Sequence, residues 1–152
     1  MNWLTTRAFA HRGLHDKSAD APENSLPAFE AACQAGYGIE LDTQVSRDGA
    51  AMVFHDSHLE RLTGRDAEFC DLGQDELAAL RLEGGNQHMP TLDEVLSLVD
   101  GRVPLLIEVK NETFSTGPLE SAVAASLKHY SGEFAVISFN PLSVAWFARH
   151  RP

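Results

Sequence analysis

Hydrophobic and polar positions follow two alternating periods along this chain. Short apolar runs with strand character are separated by segments whose apolar residues recur at helical spacing. Helices are predicted to begin near Ser25, Thr91, Pro118 and Pro141. Such alternation predicts βα units around a mainly parallel sheet. The predicted strands are Ala8–His11, Gly38–Asp42, Ala51–His55, Leu105–Lys110 and Phe134–Phe139.

One long segment departs from this pattern. From Asp56 to Pro90 the chain is polar and contains glycine, and only residues 75–80 show a short helical signal. We expect this segment to be an excursion between one strand and the next full helix.

Polar side chains cluster where the predicted strands end. Both a doubly wound sheet and a (β/α)8 barrel place their sites at the carboxyl ends of parallel strands. The candidate residues come from four separate strand ends. This number favours the mouth of a barrel over the single crevice of a doubly wound sheet. No G-x-G-x-x-G follows any strand, which removes the usual support for a dinucleotide fold. The polar residues concerned are His11, Glu40, Asp42, His55, Glu108 and Lys110.

The net charge argues against some classes of binding partner. Twelve Lys and Arg residues against 22 Asp and Glu residues give a net charge of −10, which argues against binding duplex nucleic acid or docking on anionic lipid through a basic face. No apolar run is long enough for a membrane span. The first residues show no secretory signal pattern, so we expect a cytoplasmic protein.

The carboxylates suggest a cation site. Glu40 and Asp42 are two residues apart on one strand, so their side chains share a face and either bind a cation or repel each other. Glu108 ends an apolar strand and faces the same way as Lys110. These two either pair with each other, or Glu108 adds a third metal oxygen while Lys110 faces an anionic substrate. Mg²⁺ and Ca²⁺ prefer such oxygen ligands.

Two histidines suit proton transfer. His11 and His55 each follow a short apolar strand, and Arg12 and Gly13 come directly after His11. A single histidine in such a place is more often structural. Two of them beside a carboxylate cluster favour general acid/base chemistry near neutral pH.

Taken in order, the motifs closely resemble the glycerophosphodiester phosphodiesterase family. The match runs from about Phe9 to Lys110. Each motif is weak alone, but the ordered set is specific. The motifs are His11-Arg12-Gly13, Pro22-Glu23-Asn24-Ser25, Phe29, Glu40-Leu-Asp42, Asp48-Gly49, His55-Asp56, Leu62-Thr63-Gly64, Pro90-Thr91-Leu92 and Glu108-Val-Lys110.

The resemblance implies a fold, a reaction and a set of residue roles. The family fold is a (β/α)8 TIM barrel with a small insertion, which residues 56–90 resemble. The family hydrolyses glycerophosphodiesters, the deacylated phospholipids, to sn-glycerol 3-phosphate and an alcohol, with one divalent cation. By this resemblance His11 and His55 match the general acid/base pair, whereas Arg12 and Lys110 match residues that contact the phosphate. The implied metal ligands are Glu40, Asp42 and Glu108.

Length conflicts with a complete barrel. A (β/α)8 barrel typically needs about 250 residues, whereas this chain has 152 residues and five predicted strands. We therefore expect a single TIM-barrel-type domain over residues 1–152, truncated at its C-terminus, that resembles the N-terminal three-fifths of the family. Its open sheet edges would then allow pairing with a second copy.

Two other functions remain open at the level of sequence. The same site could serve a lysophospholipase D or a phosphatidylinositol-phospholipase-like enzyme that acts on lipids. Alternatively, the chain could be a catalytically silent fragment that only binds metal or phosphate.

Overall fold

A five-stranded sheet forms the centre of the molecule. The computed structural model describes residues 2–112 and 115–150, so the outer bounds predicted for the domain, 1 and 152, lie outside the described residues. Parallel pairing follows the order β1-β2-β4-β5, and β3 pairs with β2 outside this path. The parallel α/β class predicted from the sequence is confirmed. The strands are β1 (Phe9–His11), β2 (Gly38–Val45), β3 (Ala51–Val53), β4 (Leu105–Val109) and β5 (Phe134–Ile137).

Strand β3 differs from its predicted role. The sequence pattern predicts a parallel strand at residues 51–55, but β3 runs antiparallel to β2, with Thr43 opposite Val53 and Val45 opposite Ala51. Residues 46–50 join the two strands, and this link is far shorter than the dozen or so residues that a parallel crossover requires. Four of the five strands are therefore barrel-type parallel strands, and β3 completes a hairpin.

Helices cover one face of the sheet. The Ser25 hydroxyl caps α2 by accepting from the amide of Ala28, and Thr91 and Glu94 form the predicted capping box of α5. Prolines begin α6 and α7, as predicted. Within the described residues no helix is long and apolar enough to cross a membrane. The helices are α1 (Trp3–Thr6), α2 (Leu26–Ala35), α3 (Glu60–Thr63), α4 (Gln74–Ala78), α5 (Leu92–Val99), α6 (Pro118–Leu127) and α7 (Pro141–His150).

The two faces of the central strands have opposite character. Residues at alternate positions of β2 and β4 pack into the core against helices α2, α5, α6 and α7, among them Ile39, Leu41 and Ile107. Because side chains alternate across a strand, the residues between them point to the other face. That face carries the acidic residues of both strands.

Residues 56–90 build a second, smaller core. The segment contains α3, α4 and two short 3₁₀ turns, Phe69–Asp71 and Leu82–Gly84. Its apolar side chains pack with two residues of the β3 region rather than with the main core. The buried members of this cluster are Met52, Phe54, Leu59, Leu62, Phe69, Leu72, Leu77, Leu82 and Met89. The assignment of residues 56–90 as an insertion stays a prediction.

Candidate active site

Strand register brings three carboxylates together. Asp42 of β2 lies directly beside Glu108 of β4 in the parallel ladder, and Glu40 precedes Asp42 by two residues on the same face. One carboxylate oxygen from each of the three lies within 4.8 Å of the others. The backbone of two neighbouring strands therefore sets the spacing of this carboxylate cluster.

Burial places these acids in an unfavourable electrostatic environment. Asp42 is only 1% exposed and Glu40 only 9%. Burial, together with the neighbouring charges of Asp42 and Glu108, raises the pKa of Glu40 to about 7. Like charges held this close disfavour ionisation unless a cation is present.

The two predicted phosphate-binding cations point into the same cluster. The Lys110 ammonium lies 3.5 Å from Glu108 Oε1 and 3.8 Å from Asp42 Oδ1. Arg12 Nε lies 3.3 Å from Asp42 Oδ2, and the Arg12 backbone amide donates to Glu40 Oε2 at 3.2 Å. Both cations thus partly neutralise the carboxylates.

A sharp turn after β1 places Arg12 there. Arg12 has φ 58° and Gly13 has φ 81°, so two successive residues adopt the left-handed region. A Cβ at Gly13 would lie 2.9 Å from the backbone carbon of Ala28, and only glycine avoids this clash. The Asn24 backbone amide fixes the Arg12 turn further by donating to the Arg12 carbonyl at 2.9 Å.

His55 arrives by the β2–β3 hairpin and not at the end of a parallel strand. Strand β2 continues past Asp42 to Val45, and β3 returns the chain so that the Phe54 amide donates to the Asp42 carbonyl at 3.1 Å. The Gln44 side-chain amide donates to the carbonyls of Phe54 and Asp56 at 3.1 and 2.8 Å. These contacts hold the His55 loop beside the carboxylate cluster.

The two histidines differ in their surroundings. His11 has a side chain that is 68% exposed, with Nε2 3.9 Å from Glu40 Oε2. His55 is less exposed, and its Nδ1 lies 2.6 Å from Asp56 Oδ1. An open cavity of about 410 Å³ is lined by His55, Arg61 and Lys110, among others. Among the described residues, no hydrogen bond or ion pair joins the two histidines directly.

Several residues at this site received no role from the sequence. The Asn24 side-chain amide donates to Asp42 Oδ2 at 2.9 Å, and Glu23 Oε1 accepts from Arg12 Nη1 at 2.8 Å. Both belong to the Pro22–Ser25 motif, so the motif marked them without revealing their partners. Arg61 and Gln44 carried no comparable signal. The Arg61 contact with Glu23 depends on how two separate segments fold together, and the Gln44 contacts depend on the β2–β3 hairpin.

Formal charges at the site do not balance. Five carboxylates and three cationic side chains form one connected network, which leaves two negative charges when the histidines are neutral. A single divalent cation would compensate this excess. The acids are Glu23, Glu40, Asp42, Asp56 and Glu108, and the cations are Arg12, Arg61 and Lys110.

Comparison with known sequences identifies similar proteins. The model of the glycerophosphoryl diester phosphodiesterase family matches residues 11–144. A glycerophosphodiester phosphodiesterase of Bacillus altitudinis is 35% identical over 158 residues, covering 97% of this chain and 63% of the relative. The uncharacterized protein YqiK of Bacillus subtilis is 36% identical over 157 residues, with coverage of 97% and 63%.

Solved structures show the same relation. An Oleispira antarctica phosphodiesterase, determined in complex with the product sn-glycerol-3-phosphate, superposes with a TM-score of 0.85 at 27% identity, covering 95% of this chain and 62% of that one. A glycerophosphodiester phosphodiesterase of Thermotoga maritima superposes with a TM-score of 0.72 at 32% identity, covering 94% and 58%. The chain thus spans about 60% of the length of these relatives.

Proposed function

The chain belongs to the glycerophosphoryl diester phosphodiesterase family, and we propose that its site hydrolyses glycerophosphodiesters to sn-glycerol 3-phosphate and an alcohol. The observation that carries this proposal is the buried carboxylate cluster, flanked by Arg12, Lys110 and two histidines. The product named for the Oleispira relative supports the same substrate class.

We propose that Glu40, Asp42 and Glu108 hold one divalent cation, Mg²⁺ or Ca²⁺. Three carboxylates within 4.8 Å of one another form the hard oxygen donor set that both ions prefer. The raised pKa of Glu40 and the formal charge excess of the network both fit a cation at this point. When bound, the ion would neutralise the phosphodiester and polarise it as a Lewis acid.

The chain's own residues supply the remaining chemistry in this proposal. Arg12 and Lys110 orient the phosphate and stabilise negative charge that develops on its oxygens. One histidine takes a proton from the attacking oxygen, and the other donates a proton to the departing alkoxide. His11 ends β1 and His55 lies in the loop after β3, which would allow them to act from different sides of a bound phosphate.

For the domain we propose one barrel-type unit over residues 1–152 that includes an insertion at residues 56–90. The separate apolar cluster of that segment supports the insertion. So does the contribution of Arg61, which extends from the segment to Glu23 in the turn after β1.

Release of glycerol 3-phosphate from glycerophosphocholine tests the function. The assay is run on this 152-residue chain and on the complete polypeptide that its gene encodes, with EDTA and then with Mg²⁺ or Ca²⁺ restored. We expect glycerol 3-phosphate to be released, EDTA to abolish the release, and one of the two ions to restore it. A parallel assay with lysophosphatidylcholine distinguishes the lysophospholipase D alternative.

Matched variants connect the activity to the site. Asp42→Asn removes one charge from the buried cluster, whereas Asp93→Asn removes one from the exposed first turn of α5. We expect the first to lose metal-dependent release and the second to retain it. Absence of release from the complete polypeptide, under conditions where calorimetry detects bound cation, would contradict the proposed reaction.

A further inference from the structure

A line of alternating charges connects the carboxylate cluster to His55. Arg12 contacts Asp42 and donates to Glu23 Oε1 at 2.8 Å. Arg61 then joins Glu23 to Asp56, and Asp56 contacts His55. The proposed reaction uses the carboxylate cluster, Arg12 and His55, and it assigns no role to the residues between Arg12 and His55, which are Glu23, Arg61 and Asp56.

Arg61 binds two carboxylates with one planar group. Its Nη1 and Nη2 donate to Glu23 Oε2 and Oε1 at 3.0 and 2.7 Å. Its Nε and Nη2 donate to Asp56 Oδ2 and Oδ1 at 2.5 and 3.0 Å. A guanidinium that pairs with both oxygens of each partner fixes orientation as well as distance. Asp56 therefore has its carboxylate plane set by Arg61.

The orientation of Asp56 determines which nitrogen of His55 is available. Asp56 Oδ1 lies 2.6 Å from His55 Nδ1, and an ionised carboxylate only accepts hydrogen bonds. The proton of neutral His55 therefore resides on Nδ1, which leaves the Nε2 lone pair free for proton transfer. Burial raises the pKa of Asp56, but hydrogen bonds with Arg61 and His55 outweigh it and lower the pKa below its ordinary value, which keeps this acceptor ionised.

The Glu23–Arg61 contact also joins two loops. Glu23 belongs to the segment after β1 that carries Arg12, whereas Arg61 belongs to the segment after β3 that carries His55. The same arginine thus orients His55 and ties its loop to the side of the site that holds Arg12. Since half of the Arg61 side chain is exposed, the contact is of a kind that usually adds little to stability.

We propose that Arg61 is a positioning residue that holds Asp56 against His55 and so selects the tautomer with the proton on Nδ1. The inference rests on the proposed function for its catalytic consequence, but the tautomer is measurable without turnover. Arg61 acts through Asp56 and contacts no reacting atom.

The test compares Arg61→Gln with a matched variant, Arg102→Gln. Arg102 also forms a two-point ion pair, with Glu30, at 2.6 and 3.1 Å, and its side chain is similarly exposed at 42%. That pair contacts none of the site residues. Arg61→Lys restores the charge without the planar fork and keeps the test informative if Arg61→Gln unfolds, which thermal melting of each variant would reveal.

Two readouts are taken on the complete polypeptide. Long-range ¹H–¹⁵N correlation spectra of ¹⁵N-histidine protein at about pH 8, above the ordinary histidine pKa, report the tautomer, with His55 assigned through His55→Gln. Initial rates on glycerophosphocholine separate kcat from KM. We expect Arg61→Gln to give mixed tautomers and a kcat about 10–100-fold lower at nearly constant KM, the scale at which loss of a supporting partner acts. Arg61→Lys should fall in between.

Either readout can overturn the inference. If His55 keeps its Nδ1 proton in Arg61→Gln to the same degree as in Arg102→Gln, Arg61 does not position Asp56. If the tautomer changes while kcat does not, positioning has no catalytic role. If turnover depends on metal and on Asp42 but not on Arg61, the proposed function stands and the role of Arg61 does not. If the tautomer changes in a protein that shows no turnover, the proposed function is contradicted and the positioning of His55 by Arg61 stands.

Discussion

Carboxylates on the strands and carboxylates on the loops of this site have opposite electrostatic environments. Glu40 lies on β2 beside two other acids, and its pKa is raised to about 7 by burial and those charges. Burial also raises the pKa of Glu23, but its hydrogen bonds with Arg61 and Arg12 outweigh that effect and leave the pKa below its ordinary value. The same side-chain type is destabilised as an anion in one place and stabilised in the other.

The difference indicates what each region is built to do. The strand carboxylates have two nearby cations, Arg12 and Lys110, for three acids, so an added cation would lower their energy. The loop residues Glu23 and Asp56 also outnumber the cation that they share, Arg61. Burial alone would raise the pKa of both acids, but hydrogen bonds with Arg61 outweigh it and lower both pKa values, so these anions are already stabilised. We infer that the strand region is arranged to bind an ion, and the loop region to hold side chains in place.

The largest expected effect separates catalysis from ion binding. His55→Ala should reduce turnover of glycerophosphocholine by about 10²–10⁴-fold, the usual contribution of a general acid or base. Because His55 lies outside the carboxylate cluster, the cation affinity of the His55→Ala variant should stay nearly unchanged. Steady-state rates and isothermal titration with Mg²⁺ or Ca²⁺ measure the two effects. If His55→Ala and Glu40→Gln lose metal affinity equally, the proposed division between ion binding at the strands and catalysis at His55 is contradicted.

A smaller effect is expected at the strand region. Glu40→Gln keeps the shape of the side chain but removes one charge, so cation affinity and turnover should fall together by at least about 10–100-fold, which is the cost of losing even an indirect supporting partner. Titration calorimetry and rates at saturating metal measure both quantities. Excess cation that restores the full rate would limit the role of Glu40 to ion binding, and unchanged affinity would exclude Glu40 as a ligand.

The smallest of these effects is a pH dependence. With the Glu40 pKa raised to about 7 in the absence of metal, a proton competes with the cation below that pH, and binding releases the proton. Cation affinity should therefore increase with pH and level off above about 7, being roughly tenfold weaker at pH 6 than at pH 8.

The Glu40→Gln variant serves as the control for that measurement. Since glutamine does not titrate, the variant should lose this pH dependence while keeping its weaker affinity. Calorimetry in buffers of different ionisation enthalpy counts the released protons. If the cation affinity of the unsubstituted protein does not change between pH 6 and pH 8, the raised pKa of Glu40 is contradicted.

The carboxylate cluster is the part of the candidate site that the sequence predicts best, because its spacing depends on the two-residue period of a strand. Glu40 and Asp42 share a face because strand side chains alternate, and the register of β2 with β4 places Glu108 beside them. The prediction that these three acids converge is confirmed. The prediction of a parallel strand at β3 was wrong, although the eight residues between the two predicted strands, 43–50, are already too few for a parallel crossover.

The sequence by itself determined the parallel α/β class, the family and the residue types that meet at the site, because these depend on local periods and ordered motifs. Only the tertiary structure revealed that β2 continues past Asp42 to Val45 and that the β2–β3 hairpin brings His55 back beside the carboxylate cluster. Only the tertiary structure joined Glu23, Arg61 and Asp56. Glu23 and Arg61 are 38 residues apart in the chain, so their pairing depends on where the two folded segments lie rather than on any spacing in the sequence.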